Sequence, residues 1–321
     1  MKIPVLILIY NRPHCTKNLF KILKKVKPKI LYLAADGPKL NSIEDKINCE
    51  KTRNIFKDID WKPKIFFRYN KKNKGLKKSV SESINWFFRN EKLGIILEDD
   101  CIPSFSFFKF CENLLIKHKK NERIFCISGS NHAFQDHKIN QSYYFSKYPH
   151  CWGWATWRRA WKKNDLEINF WPKFKNSKSW INFHKTNLEK KYWEKIFNNT
   201  YSNFYDSWAY SWTLSVWKNN GLTIIPSKNL IKNIGYGTNS TNSIFREKNE
   251  IKNIQKMKKK IIHPKNLKID DLKDSFVFNN HYKGKNLLYP YRILHVIKIL
   301  LTNPTSFFLK LKKYYYKLIY N

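Results

Sequence analysis

No stretch of this 321-residue chain approaches the roughly 18 consecutive apolar residues a bilayer-spanning helix needs, which excludes a helical integral membrane protein. The opening apolar run, residues 3–10, is followed at once by Arg12-Pro13 and lacks a small-residue cleavage site. It reads as a strand and not as a secretory signal, so a cytoplasmic location is expected. Six cysteines are present without a Cys-x-x-Cys pair, which sets aside a paired redox or zinc site; they read as reduced, mostly buried thiols. No internal repeat appears. Acids are scarce, with 24 Asp and Glu against 62 Lys and Arg, and the formal net charge is +38. Such an excess suits an acidic partner: nucleic acid, anionic lipid, a phosphosugar or an acidic glycan. Lys, Asn, Ile, Tyr and Phe are also the residues an AT-rich genome favours, so the charge alone selects no function.

Hydrophobic residues make up 42% of the chain, enough for a sizeable core. Unbroken apolar runs at 3–10, 29–35, 64–69, 93–97 and 124–128 predict strands. Segments 16–26, 42–57, 77–88 and 106–118 carry apolar residues at helical spacing. Runs that do not alternate suit parallel strands covered on both faces, and strand–helix–strand repetition predicts an α/β, doubly wound, mostly parallel sheet. Ligands of such sheets sit at the carboxyl ends of the strands. That rule singles out Tyr10-Asn11-Arg12, Ala35-Asp36-Gly37, Tyr69-Asn70, Glu98-Asp99-Asp100 and Ser128-Gly129-Ser130. Residues 143–217 are dense in Trp and Tyr, with helices predicted at 188–197 and 206–217. A short strand at 222–226 leads into a Gly-, Thr-, Ser- and Asn-rich loop at 233–242.

Glu98-Asp99-Asp100 places three acids directly behind a buried strand. Adjacent carboxylates repel one another unless a cation compensates, and Mg²⁺ or Mn²⁺ binds one or two carboxylates and takes its other ligands from phosphate and water. The same acids could also cap the helix predicted after Pro103.

Tyr10-Asn11-Arg12-Pro13, Asp36-Gly37, Glu98-Asp99-Asp100 with Pro103 and Phe107-Phe108, Gly153-Trp154-Ala155-Thr156-Trp157-Arg158-Arg159, Tyr205-Asp206-Ser207-Trp208 and Asn233-Ile234-Gly235-Tyr236-Gly237 occur in that order. The pattern resembles the nucleotide-diphospho-sugar glycosyltransferases of GT-A fold. Within them it resembles bacterial family 2-like transferases of surface-polysaccharide clusters, with the acid motif in the form found in the N-acetylglucosaminyltransferase I type. The likeness spans about residues 3–242. It implies a GT-A domain at 1–245, with a nucleotide-sugar half (1–130) and an acceptor half (131–245), and a basic helical extension at 246–321. It further implies that Arg12 approaches the diphosphate, with Asn11 also in the donor site, Asp36 the uracil-type base, Asp99 the ribose and Glu98 the donor-sugar hydroxyls. Asp100 would bind Mn²⁺ or Mg²⁺, the Gly235, Gly237 and Thr238 loop would close over the phosphates, and Asp206 would be the general base of an inverting transfer. The family's Asp-Asp-Trp is Asp206-Ser207-Trp208 here, which keeps one acid where two are common. Trp154, Tyr205 and Trp208 offer rings to a sugar. Taken singly, Asp206 is also a candidate helix N-cap, and each ring a candidate core residue.

His150 and His281 read as structural hydrogen-bonders. From residue 289 onward, basic, aliphatic and aromatic residues mix: Ile293, Val296, Ile297, Leu300 and Leu301 share a helical face, and Lys310, Lys312, Lys313 and Lys317 follow. That suits peripheral contact with an anionic membrane, on the inner face of the cytoplasmic membrane, where the acceptor would be a glycan or glycolipid of lipopolysaccharide, lipooligosaccharide or capsule. Two rivals are weighed. A sugar-phosphate nucleotidylyltransferase opens with a Gly-rich basic signature, which Tyr10-Asn11-Arg12-Pro13 lacks. A basic nucleic-acid-binding protein would interleave basic and aromatic residues where this chain has its strand-end acids.

Overall fold

The computed structural model describes residues 1–133, 140–235, 253–258 and 260–290, with scattered positions between 293 and 308. Strands β1 (Val5–Ile9), β2 (Ile30–Ala35), β3 (Lys64–Tyr69) and β4 (Leu93–Glu98) alternate with helices α1 (Pro13–Val26), α2 (Ile43–Asn54) and α3 (Leu76–Asn90). A short β5 (Cys101–Pro103), α4 (Phe105–Lys117) and β6 (Ile124–Ser128) follow. Then come β7 (Tyr143–Ser146), β8 (Trp154–Trp157) and the short helices α5 (Arg158–Trp161), α6 (Trp171–Phe174) and α7 (Lys178–Phe183). Helices α8 (Asn187–Tyr201) and α9 (Trp208–Lys218), strands β9 (Leu222–Pro226) and β10 (Ile231–Asn233), and α10 (Asp271–Asn280) complete the described chain.

The central sheet has eight strands in the order β3-β2-β1-β4-β8-β6-β9-β7. Strands β1 to β4, β6 and β9 point one way, and β7 and β8 run against them. Along β1, Val5, Ile7 and Ile9 enter one core while Leu6 and Leu8 enter the other, so the sheet is covered on both faces. This is why β1 reads as an unbroken apolar run. Helices α1 and α4 supply the first core with Leu19, Leu23, Phe107 and Leu114. Helices α3, α8 and α9 supply the second with Ile84, Phe87, Trp193 and Trp212.

The sheet is mostly parallel, as the runs predict, but β8 departs from that pattern. It comes from the aromatic segment and inserts antiparallel between β4 and β6, pairing Ile96 with Trp154 and Ser128 with the same Trp154. Periodicity does not reveal it, because Trp154-Ala155-Thr156-Trp157 is short and buried throughout. A separate β5–β10 pair sets Asn233 opposite Cys101, which brings the segment after β10 beside the acid cluster. Further on, Gln255 N donates to Asn229 O at 2.8 Å, Phe145 bridges Ile269, and α10 buries Val277 and Phe278 in the second core. The C-terminal region is thus anchored to the sheet as far as Tyr282, whereas Leu288, Tyr289, Ile293 and Leu301 beyond it are exposed. Of the tail residues expected to meet a membrane, Val296, Lys310, Lys312, Lys313 and Lys317 lie outside the described residues.

Candidate functional site

The register of the sheet assembles the site. Leu8 of β1 lies opposite Glu98 of β4, and Ile9 lies opposite Ala35 of β2. The residues that follow each strand therefore converge at one edge, where a cleft of about 250 Å³ is lined by Tyr10, Arg12, Asp36, Glu98, Asp99 and Asp206.

Arg12, at the turn into α1, bridges two of the acids: Nη1 donates to Asp100 Oδ2 at 2.9 Å, and Nη2 lies 3.2 Å from Asp99 Oδ1. Burial pushes the Glu98 carboxyl well above the usual carboxylate range, and repulsion from Asp100 and Asp99 adds to it. Burial also raises Asp99, against the opposing pull of Arg12. A single guanidinium does not compensate three acids held this close. Asp99 Oδ2 is buried and has no hydrogen-bond partner among the described residues. A buried, orphaned carboxylate oxygen beside a second carboxylate fits a hard cation. Gly235 lies against the same pair, since a Cβ there would sit 2.0 Å from Asp100 Oδ2 and 2.6 Å from Arg12 Nη1. The structure thus brings Arg12, Glu98, Asp99, Asp100 and Gly235 together. Gly237 and Thr238 lie outside the described residues.

Asp36 is more heavily engaged than its expected role requires. Its Oδ1 accepts from Gly37 N at 2.9 Å, Asn70 Nδ2 at 3.0 Å and Lys74 N at 3.1 Å, while among the described residues Oδ2 accepts only from Lys74 N. Remaining acceptor capacity is on Oδ2. Asn11 is a correction: its amide donates to Asp45 Oδ1 at 2.5 Å and does not line the cleft. Asp45, which the sequence reading passed over, also accepts from Tyr10 Oη at 2.6 Å and Lys39 N at 2.6 Å, and so shapes the loop after β1. Burial alone would raise its pKa, but these donors bring it down. The signal for it was the Ser42-x-x-Asp45 helix start, where the Ser42 side chain accepts from Asp45 N.

Asp206 does not cap its own helix, whose N-cap is Ser207. Its Oδ2 accepts from Leu76 N and its Oδ1 from Lys77 N, both at 2.9 Å, so it caps α3 from 130 residues away. An ionised carboxylate has about four lone-pair sites, so two backbone bonds leave capacity for a further donor.

Beyond Asp206 lies a larger cleft of about 700 Å³, with Tyr205, Trp208, Trp152 and three histidines in its wall. Tyr205 and Trp152 are half-buried there, and Trp208 contributes an edge only, being 3% exposed. Trp154 is a second correction. It is fully buried in β8, with its ring stacked on Trp208 at 5.6 Å, and has no surface to offer a sugar. Its burial follows from the antiparallel insertion of β8.

No protein-family description matches the chain, and no curated protein does. Among solved structures, 4-diphosphocytidyl-2C-methyl-D-erythritol synthase from Anaerococcus prevotii DSM 20548 is similar over 61% of this chain and 84% of that one, with 12% identity and a TM-score of 0.32. A likeness this slight says nothing about chemistry.

Proposed function

We propose that the chain is an inverting glycosyltransferase that moves a sugar from a nucleoside diphosphate, of the UDP-sugar class, to a glycan or glycolipid of the bacterial surface. The observation that carries this reading is that the two clefts adjoin: Leu76, Glu98 and Asp206 line both. The smaller one, charged and at the strand ends, suits a nucleotide donor. The larger one, walled by aromatic rings, suits an acceptor sugar, whose apolar CH faces pack on such rings.

In this reading Asp100, with Asp99 beside it, holds Mg²⁺ or Mn²⁺, which stabilises charge on the departing diphosphate as a Lewis acid when bound. Arg12 adds a fixed positive charge at the same place. The bond from the anomeric carbon to the diphosphate oxygen breaks through an oxocarbenium-like state, and the acceptor oxygen bonds to that carbon from the opposite face. Asp206, at the border of the two clefts, takes the acceptor's proton. Tyr10-Asn11-Arg12-Pro13 lacks the Gly-rich phosphate loop of a nucleotidylyltransferase, and α1 begins at Pro13 with no glycine before it. Both favour transfer of the sugar over transfer of the nucleotide.

The test is a thermal-shift screen of UDP-, GDP-, dTDP- and CMP-sugars with and without Mn²⁺, followed by product analysis with oligosaccharide acceptors. Release of nucleoside diphosphate with a new glycosidic bond supports the reading. Release of pyrophosphate from a nucleoside triphosphate and a sugar phosphate would establish a nucleotidylyltransferase in its place. Salt-sensitive RNA binding without donor turnover would establish a nucleic-acid-binding protein.

A further inference from the structure

Among the described residues, the one group of three potential metal ligands with donor atoms within 4.8 Å of one another is His132, His150 and His281. It is not the acid cluster. These residues are far apart in sequence and come from three places: the segment after β6, the loop between β7 and β8, and the C-cap of α10. The rings are close, with His132 and His281 centroids 3.9 Å apart and His132 and His150 centroids 4.4 Å apart. All three line the larger cleft, which Asp99 and Asp100 do not.

We propose that His132, His150 and His281 form a transition-metal site of the Zn²⁺ class, distinct from the Asp99–Asp100 pair, with an open coordination position facing the larger cleft that Glu98 also lines. Three imidazole nitrogens suit Zn²⁺, Co²⁺, Ni²⁺ or Cu²⁺, whereas Mg²⁺ and Mn²⁺ prefer oxygen. Tetrahedral ligation at about 2.0–2.1 Å requires the nitrogens to be roughly 3.3 Å apart, within the observed limit of 4.8 Å, and it requires the His132–His281 stack to open as the ion enters. The supports are firm on two sides. His150 is buried, with the rings of Tyr148 and Tyr282 side by side against it, and His281 N donates to Val277 O at 2.9 Å. Three ligands plus an open position is the arrangement of zinc sites that bind a substrate oxygen rather than only hold a fold together. The open position would take an oxygen of whatever occupies the cleft. This inference rests on the geometry of the three rings and stands whether or not the chain transfers sugars.

The experiment is metal binding, with no activity readout. Full-length protein stripped with chelator is titrated with Zn²⁺ by calorimetry, and bound metal is counted after dialysis. Wild type should retain one equivalent of Zn²⁺, the double variant H132Q/H281Q should lose it, and Asp100→Ala should keep it. Co²⁺ added to wild type reads the ligands without any variant: intense visible absorption of a four- or five-coordinate ion is expected. Absence of a stoichiometric Zn²⁺ equivalent in wild type, its retention by the folded double variant, or a Co²⁺ spectrum like that of the aqua ion would each overturn the site.

Discussion

Asp206 supplies the cap that Gly75 cannot. Gly75 is the N-cap residue of α3, has no side chain to accept the first-turn N–H groups, and adopts a φ of 81° that favours glycine. The Asp206 carboxylate takes two of the orphan donors, Leu76 N and Lys77 N, and a Cβ on Gly75 would lie 3.1 Å from its Oδ2. One side chain therefore ties the segment before α9 to the start of α3 and stands where the two clefts meet.

That double duty makes the Asp206 variants informative. Loss of a cap costs about 0.5–2 kcal/mol, whereas loss of a general base costs about 10²–10⁴-fold in turnover. Asp206→Asn retains one acceptor oxygen for two donors, so a small loss of stability is expected together with a large loss of rate and nearly unchanged donor affinity. Denaturation midpoint, donor binding and transfer rate should be measured on one preparation. Turnover within a few-fold of wild type would remove Asp206 from the chemistry and leave it as a cap.

Asp100→Ala should abolish the metal-dependent part of donor binding while leaving the fold intact, because the remaining acids keep Arg12 as a partner through Asp99. Titration of a UDP-sugar with and without Mn²⁺ checks this. Equal binding in excess EDTA by the wild type would exclude the cation role.

Gly235→Ala would place a methyl group 2.0 Å from Asp100 Oδ2. Overpacking of this kind costs about 1–3 kcal/mol, and the strain would fall on the Arg12–Asp100 pair. The expected result is weakened donor binding with little change in secondary structure by circular dichroism. Unchanged binding would mean that the loop moves away from the acids at no cost.

Glu189 sets an acid limit on stability. Burial would raise its carboxyl, but the net shift is down, to about 2. Lys147 Nζ at 2.7 Å and the Tyr148 hydroxyl account for it, since His184 at 3.8 Å is beyond hydrogen-bond length. A depressed folded-state pKa contributes stability above the ordinary glutamate value, and that contribution is lost as pH falls toward 2, in total about 3 kcal/mol. Glu189→Gln leaves Lys147 buried and unpaired, so a destabilisation of about 3–5 kcal/mol is expected at neutral pH. It should shrink on acidification. Urea melts of both proteins from pH 7 to pH 3 test this, and a pH-independent difference would contradict it.

Among the described residues no helix is long and apolar enough to cross a membrane. The described positions Leu288, Tyr289, Ile293, Leu294 and Leu301 are nonetheless exposed. Truncation after Leu288 should preserve donor binding and reduce partition onto anionic liposomes. The binding should be salt-sensitive, since each lysine near the surface contributes about 1 kcal/mol. Equal partition of both forms would rule out a membrane role for the tail.

The sequence alone determined the parallel strands and their polar ends. A strand covered on both faces must be apolar throughout, so β1, β2, β4 and β6 show themselves, and the residue after each one then marks the ligand edge. Arg12 beside Asp99 and Asp100 follows from that rule. The tertiary structure decided what depends on residues distant in the chain. The capping of α3 by Asp206, the burial of Trp154 by an antiparallel β8, the turn of Asn11 toward Asp45, and the meeting of His132, His150 and His281 have no local signature. Each is set by how remote segments pack, and neither helical nor strand periodicity encodes that.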